Sequence, residues 1–176
     1  MSKVAKYRLI GFAAALALFL VDQAMKFYVT ETLGMERGEV VELLPFFDFR
    51  MTYNFGISLG MFQADSMEMR WILVGVTSLI ALVVTVWMLR EKALGEIAGL
   101  ALILGGALGN IRDRYEYGYV IDYADLHFGA FRPFLIFNIA DAAITIGVLI
   151  ILARAFFVRD KDATPETEPA HGAAES

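Results

Sequence analysis

The chain has 176 residues, of which 58% are hydrophobic and 20% charged, and it contains no cysteine. Soluble domains average about 45–50% apolar and about 25% charged residues, so this chain is unusually apolar. The lack of cysteine excludes disulfides, thiolate metal sites and a cysteine nucleophile. A net charge of −5, with no basic cluster, argues against nucleic acid as a partner.

Four apolar segments reach the length of about 20 residues that a bilayer span needs. A soluble domain of this size has no use for them, because its helices bury one stripe and wet the other. The pattern predicts a mainly α membrane protein, a four-transmembrane-helix bundle formed by residues 1–158. Its spans are expected at about residues 9–29, 71–89, 94–111 and 134–158.

The segment between the first two spans is expected to carry structure of its own. It is dense in β-forming residues between Val40 and Tyr53, so residues 38–60 predict a small sheet at the membrane surface. A short interfacial helix is expected to follow over residues 61–70. Residues 159–176 are rich in Glu, Pro, Ala and Thr and predict a disordered cytoplasmic tail.

The positions of the basic residues predict the orientation. Eight of them lie in the short segments at one end of the spans, which should be cytoplasmic: Lys3, Lys6, Arg8, Arg90, Lys92, Arg154, Arg159 and Lys161. Both termini are therefore expected inside. No small-x-small motif follows the first apolar run, so we expect it to stay attached as a span.

Several polar residues lie at membrane depth, where they are rare and usually functional. Asp22, Asn110, Asn138 and Asp141 all fall towards the outer ends of their spans. Asn138 and Asp141 share one face of the last helix, because they are three residues apart. Interhelical hydrogen bonding is the simpler interpretation for the asparagines. It is weaker for Asp141, since a lone carboxylate at depth must be paired or neutralised.

A second carboxylate, Asp122, lies in a short β-like segment just before the last span. Two carboxylates brought together cannot both ionise cheaply, so they share a proton and their pKa values separate. One then acts as a base towards water while the other polarises a carbonyl. Asp122 and Asp141 (the aspartate pair) therefore offer aspartic-protease chemistry without metal, thiol or histidine.

Five motifs in order resemble those of the bacterial lipoprotein signal peptidases, the type II signal peptidases. The resemblance covers roughly residues 8 to 155 and rests on Asp22-Gln23-x-x-Lys26, Asn54-x-Gly56, Gly105-Gly106-Ala107-Leu108-Gly109-Asn110-x-x-Asp113-Arg114, Gly118-Tyr119-Val120-Ile121-Asp122-Tyr123 and Phe137-Asn138-Ile139-Ala140-Asp141. One such motif is weak evidence, whereas five in order on a four-span chain are specific.

The resemblance implies a bacterial inner-membrane aspartyl endopeptidase with both termini cytoplasmic and its active site near the outer leaflet. It would cut prolipoproteins just before a diacylglyceryl-modified cysteine, in contact with membrane lipid. We also expect a monomer whose site needs no cofactor or metal. The family's catalytic pair falls on Asp122 and Asp141. Its supporting residues fall on Asp22, Lys26, Asn54, Gly106, Asn110, Asp113, Arg114, Asn138 and Ala140.

Specific roles follow as hypotheses. Asn110 and Asn138 are expected to fix the carboxylates or to donate to the substrate backbone. Asn54 and Arg114 are candidates to bind peptide carbonyls. Two ion pairs are the simpler interpretations elsewhere, namely Asp22 with Lys26 at the end of a helix, and Asp113 with Arg114 or across a loop.

The chain departs from the family pattern at two places. Ile57-Ser58-Leu59 stands where many members have Ala-Ala-Phe, and Arg112 stands where an apolar residue is usual. Both departures bear on the substrate side and neither touches the aspartate pair.

Two other functions need an answer. Residues 56–60 match the G-x-S-x-G pattern around Ser58, but that motif needs a strand–turn–helix in an α/β sheet and a later histidine. Only His127 and His171 are available, and no βαβ pattern exists. The second alternative is a small multi-pass transporter or assembly subunit that uses Asp141 as a proton relay.

Overall fold

The computed structural model describes residues 1–56 and 67–157. Its elements are, in chain order, helix α1 (Lys3–Phe27) with a π-helical continuation (Tyr28–Thr32), strands β1 (Val40–Leu44) and β2 (Phe47–Asn54), helices α2 (Met67–Arg90) and α3 (Leu94–Glu116), strand β3 (Val120–Leu126) and helix α4 (Ile139–Phe157).

Within residues 1–56 and 67–157, four helices are long and apolar enough to cross a membrane, which confirms the predicted fold class. Helix α3 is the central one and packs against α1, α2 and α4. Half of the residues in its most apolar stretch are buried inside the protein, against 22% or less in the other three helices. The outer helices thus turn most of their apolar surface outwards, as spans facing lipid do.

Glycines allow α3 to approach its neighbours closely. A methyl group at Gly106 would lie 2.5 Å from the carbonyl oxygen of Ala140 on α4, and one at Gly105 would lie 2.6 Å from that of Ala15 on α1. Small residues at such crossings let helix backbones meet, because lipid supplies no hydrophobic force between helices. This contact brings the first turn of α4 against the outer half of α3.

The strands form an antiparallel sheet in the order β1-β2-β3. Thr52 stands opposite Asp122, and Asn54 stands opposite Val120. Pro45 lies in the turn between β1 and β2, where its missing N–H costs no ladder bond. The sheet therefore places Asn54 and Asp122 on neighbouring strands beside the outer ends of the helices.

Some element boundaries differ from the hydropathy pattern. Helix α4 begins at Ile139, later than the expected 134, because the preceding residues run beside β3, with Ala124 bridged to Phe137. Helix α3 continues to Glu116, beyond the expected 111, and so carries its polar end into the site. The expected disordered tail, the Ser58 motif and most of the expected interfacial helix lie outside the described residues.

Candidate active site

The two aspartates approach each other from different elements. Asp122 lies in the middle of β3, and its side chain is buried. Asp141 lies in the first turn of α4 and is half-buried. They are close enough for the charge of Asp141 to act on the ionisation of Asp122. The structure thus brings together two carboxylates that are 19 positions apart in the sequence.

Asn138 joins the two aspartates and caps α4. Its side-chain oxygen accepts from the backbone N–H of Asp141 at 2.8 Å, and the Asp141 carboxylate accepts from the backbone N–H of Asn138 at 3.3 Å. This reciprocal pair satisfies two N–H groups that a helix start leaves unpaired. The Asn138 amide nitrogen also donates to Asp122 at 2.7 Å. One residue therefore fixes both carboxylates.

Two further amides hold the remaining carboxylate oxygens. Asn110 on α3 donates to Oδ1 of Asp141 at 2.8 Å, and Asn54 at the end of β2 donates to Oδ2 of Asp122 at 3.1 Å. The Asn110 oxygen accepts from the amide of Asn138 at 3.3 Å, which closes the network. Each carboxylate is thus held by two donors.

The environment of Asp122 favours its protonated form. Burial, followed by the charge of Asp141, raises the pKa of Asp122 to about 7, while hydrogen bonds from Asn54 and Asn138 and the charge of Lys26 oppose the rise. A carboxyl group with a pKa near 7 is protonated in a large fraction of the molecules at neutral pH, so it can act as an acid. The pair can therefore contain one proton at neutral pH.

A buried charge cluster lies behind the pair. Nζ of Lys26 is 2.9 Å from Asp22 and 2.7 Å from Asp113, and all three side chains are at most 2% exposed. Lys26 also donates to Asn110 at 3.3 Å, and Asp22 accepts from the backbone N–H of Ala140 at 3.1 Å. The expected pair of Asp22 with Lys26 exists but is part of a larger cluster.

Among the described residues, Asp113 and Arg114 do not form the ion pair with each other that the sequence suggested. Asp113 bonds to Lys26, while Arg114 donates to the carbonyl of Gly56 at 2.8 Å. Successive residues on a helix point about 100° apart, so they reach different neighbours. The Gly56 N–H donates to Oδ1 of Asn54 at 3.1 Å. Arg114 therefore anchors Gly56, which follows β2 and bonds in turn to Asn54 at the end of that strand.

The edge of β3 that faces away from β2 is already bonded. The N–H of Ile121 donates to Asp113 at 3.2 Å, and its carbonyl accepts from Asn138 at 3.2 Å. The N–H of Tyr123 donates to the carbonyl of Phe137 at 3.1 Å. Side chains and a passing segment thus cover the edge of the strand that carries Asp122.

All the residues that were predicted as catalytic or supporting lie in or beside this network, and three residues that were not predicted also join it. Gln23 donates to Asp113 at 3.1 Å and to the carbonyl of Gly109 at 3.3 Å. Any side chain at Gly109 would collide with Asp22. Gln23, Gly56 and Gly109 all stand inside the quoted motifs, which was the only signal for them in the sequence.

The arrangement fits hydrolysis by activated water. Amides fix the orientation of the two carboxylates, burial favours the protonated form of Asp122, and Arg114 lies within electrostatic reach of both. Within residues 1–56 and 67–157, no three His, Asp or Glu side chains are placed to hold a metal ion.

Comparison with known proteins gives one consistent result. The family model "Signal peptidase (SPase) II" matches residues 14–157. A lipoprotein signal peptidase of Sphingopyxis alaskensis is 50% identical over 93% of this chain and 94% of its own, and one of Rhizorhabdus wittichii is 46% identical over 88% and 90%. A bacterial membrane enzyme solved in meso at 2.3 Å superposes with a TM-score of 0.76 at 26% identity, covering 90% of this chain and 93% of its own.

Proposed function

Because the chain belongs to the signal peptidase II family of membrane-embedded enzymes that process prolipoproteins, we propose that Asp122 and Asp141 hydrolyse the peptide bond as an aspartic pair. The observation that carries this proposal is the network in which Asn138 bonds to both carboxylates while Asn54 and Asn110 each hold one. In the proposed reaction, the two carboxylates that this network holds act together on a single water molecule.

In the proposed reaction, ionised Asp141 takes a proton from water as the water oxygen attacks the scissile carbonyl carbon. Protonated Asp122 gives its proton to the carbonyl oxygen, which yields a neutral tetrahedral intermediate. The intermediate collapses as Asp141 returns a proton to the leaving nitrogen, the C–N bond breaks, and Asp122 regains its proton from the hydroxyl. The raised pKa of Asp122 supports its assignment as the initial acid.

The supporting residues receive roles from their contacts. Asn138 and Asn110 orient the carboxylates, and Lys26, Asp22 and Asp113 orient Asn110 and the start of α4. Arg114 and Asn54 position the end of β2 and leave donors for substrate carbonyls. Gly106 and Ala140 permit the close α3–α4 crossing on which these distances depend.

The substrate is proposed to be a prolipoprotein carrying a diacylglyceryl cysteine, cut just before that residue. Asp141 lies at the outer end of α4 if both termini are cytoplasmic, as the basic residues favour. The lipid of the substrate would then stay in the outer leaflet of the inner membrane while the peptide reaches the pair. Such tethering raises the local concentration of substrate, so a monomer with few peptide contacts suffices.

The decisive test is cleavage of a purified diacylglyceryl-prolipoprotein by Asp122→Asn and Asp141→Asn in reconstituted membranes. Each change keeps the shape of the side chain and removes the acid–base group, so each should abolish cleavage while the unfolding temperature stays near that of the wild type. Thr85→Val on α2 is a matched isosteric control, because the Thr85 hydroxyl donates to the backbone carbonyl of Ala81 at 2.8 Å, on a helix that carries neither aspartate. Substantial cleavage by either aspartate variant would sink the proposal.

The family assignment does not favour the transporter alternative. For the serine motif, Ser58→Ala separates the mechanisms although Ser58 lies outside the described residues. An aspartic pair predicts near-normal cleavage by this variant, and complete loss would support the serine as nucleophile.

A further inference from the structure

A group of exposed aromatic residues surrounds the hairpin at the far end of the sheet. Phe128 and Phe131 flank a two-residue turn and exchange backbone hydrogen bonds of 2.8 and 3.2 Å, so the hairpin is held in shape. Both rings are more than half exposed, as is Phe134, and Phe46 is nearly so. The N–H of His127 donates to the carbonyl of Phe46 at 3.0 Å, which ties Phe46 to the hairpin.

Two arginines stand beside this aromatic group. Arg50 on β2 and Arg132 after the hairpin both direct Nε at the carboxylate of Asp125, at 2.8 and 3.0 Å. Asp125 is buried, while the arginines are 35% and 42% exposed. In the described part of the chain, both guanidiniums bond to Asp125 through Nε alone, so their terminal nitrogens are available to another acceptor.

The charges in this region are layered. His127 lies 2.9 Å from Asp48, which is also buried and stands opposite Asp125 in the β2–β3 register. Both carboxylates are buried while Arg50 and Arg132 are partly exposed. Glu42 on β1, which stands opposite Asp48, adds one exposed carboxylate at this end of the sheet. Two guanidiniums from different elements, oriented by one buried carboxylate, are suited to donate hydrogen bonds to the oxygens of a phosphate.

Chain connectivity places this region next to the bilayer. Exposed Phe134 is only a few residues before Ile139, where α4 begins its span, and one residue covers at most about 3.5 Å. Aromatic rings and arginines are the residues that settle at the headgroup level of membranes. The lipid-facing surface of α4 is thus continuous with the exposed aromatic group.

We propose that Arg50 and Arg132, oriented by Asp125, bind the phosphate of a phospholipid in the outer leaflet. Phe128 and Phe131 insert between the adjacent lipid molecules. We call these five residues the lipid clamp. This contact fixes the depth of the sheet that carries Asp122. The consequence for cleavage rests on the proposed function, whereas lipid binding does not.

The first experiment measures the depth of the hairpin. Phe131→Trp is placed in a background in which both native tryptophans, Trp71 and Trp87, are replaced by Phe, and the protein is reconstituted in phosphatidylcholine with or without brominated acyl chains. We expect bromine to quench the emission, because an aromatic ring at the membrane interface lies against the acyl chains. Phe128→Trp repeats the measurement in case the first variant misfolds. Emission that is insensitive to bromine at both positions would refute insertion.

The second experiment tests the phosphate contact. In detergent, the tryptophan-labelled protein is titrated with phosphatidylglycerol and with a phosphate-free glucosyl diacylglycerol. Arg50→Gln/Arg132→Gln should weaken phospholipid binding at least about tenfold and leave glycolipid binding unchanged. Adding Asp125→Asn to the double variant removes the buried charge that it leaves unpaired, and should give the same loss.

Arg112→Gln is the matched control, because Arg112 is similarly exposed and has its own carboxylate partner in Glu116. It should bind both lipids as the parent does. The proposal is overturned if the variants lacking Arg50 and Arg132 keep the parental affinity for phospholipid, or if Arg112→Gln weakens it equally. Neither measurement depends on cleavage, so loss of lipid binding with an active Asp122–Asp141 pair, or the reverse, distinguishes the two proposals.

Discussion

The hydrogen bond from Asn54 to Asp122 should set the upper pH limit of cleavage. In the proposed reaction Asp122 must begin protonated, so activity should fall as pH rises through its pKa of about 7. The Asn54 amide stabilises the ionised form of this carboxylate. Asn54→Ala removes that donor, which disfavours ionisation and should raise the pKa of Asp122 further.

The size of the shift follows from the geometry. A hydrogen bond to a charged group contributes about 1.5–3 kcal/mol, and about 1.4 kcal/mol corresponds to one pKa unit. The bond is 3.1 Å long and Asn54 is half-buried, which favours the lower end of that range. The alkaline limb of kcat/KM should therefore move upwards by about one unit, to about pH 8.

The assay is the pH dependence of kcat/KM for a lipidated precursor in vesicles. The lower activity expected of Asn54→Ala does not affect where its limb lies. Gln23→Ala is the matched control, since the Gln23 amide bonds to Asp22 and Asp113 and to neither member of the aspartate pair. An alkaline limb that stays in place or moves to lower pH in Asn54→Ala would refute the assignment of Asp122 as the initial acid.

Two further predictions concern the bundle that supports the site. Lys26→Met leaves Asp22 and Asp113 buried without their cation, so we expect the free energy of unfolding in detergent to fall by about 3–5 kcal/mol. Adding Asp113→Asn should restore part of this stability. A Lys26→Met variant as stable as the parent would contradict the buried cluster. Gly106→Ala inserts a methyl group 2.5 Å from a backbone oxygen of α4, so it should lower the free energy of unfolding by about 1–3 kcal/mol. It should also remove most of the cleavage activity. Gly75→Ala on α2, where no atom lies within 4 Å, should change neither quantity.

The membrane spans could be predicted from the sequence because hydropathy is a local property of about 20 consecutive residues. Most of the sheet could be predicted too, since the β-forming residues of Val40–Leu44 and Phe47–Asn54 are contiguous. The start of α4 was harder to predict. Residues before Ile139 are apolar enough to look like membrane, yet Phe137 pairs with β3 and Asn138 caps the helix. Hydropathy cannot distinguish these contacts from a span.

Partners distant in sequence could not be assigned in the same way. The motifs named Asp22, Asp113 and Arg114, but only the packing of α1, α3 and α4 decides that Asp113 meets Lys26 and that Asp22 meets the N–H of Ala140. Arg50 and Arg132 gave no sequence signal, because their common partner Asp125 lies on another strand and outside every motif.

The covered edge of β3 limits how a peptide can be read. Many enzymes and binding domains take an extended peptide as an additional strand, so that its backbone supplies most of the affinity. Here Asp113 and Asn138 bond to the N–H and carbonyl of Ile121, and Phe137 accepts from the N–H of Tyr123, so these groups are already paired. A peptide that reaches Asp122 must therefore cross the face of the sheet, where few backbone groups are offered. If the substrate is the proposed lipid-tethered precursor, selectivity depends on that tether, and a product cut free of it has few contacts that retain it.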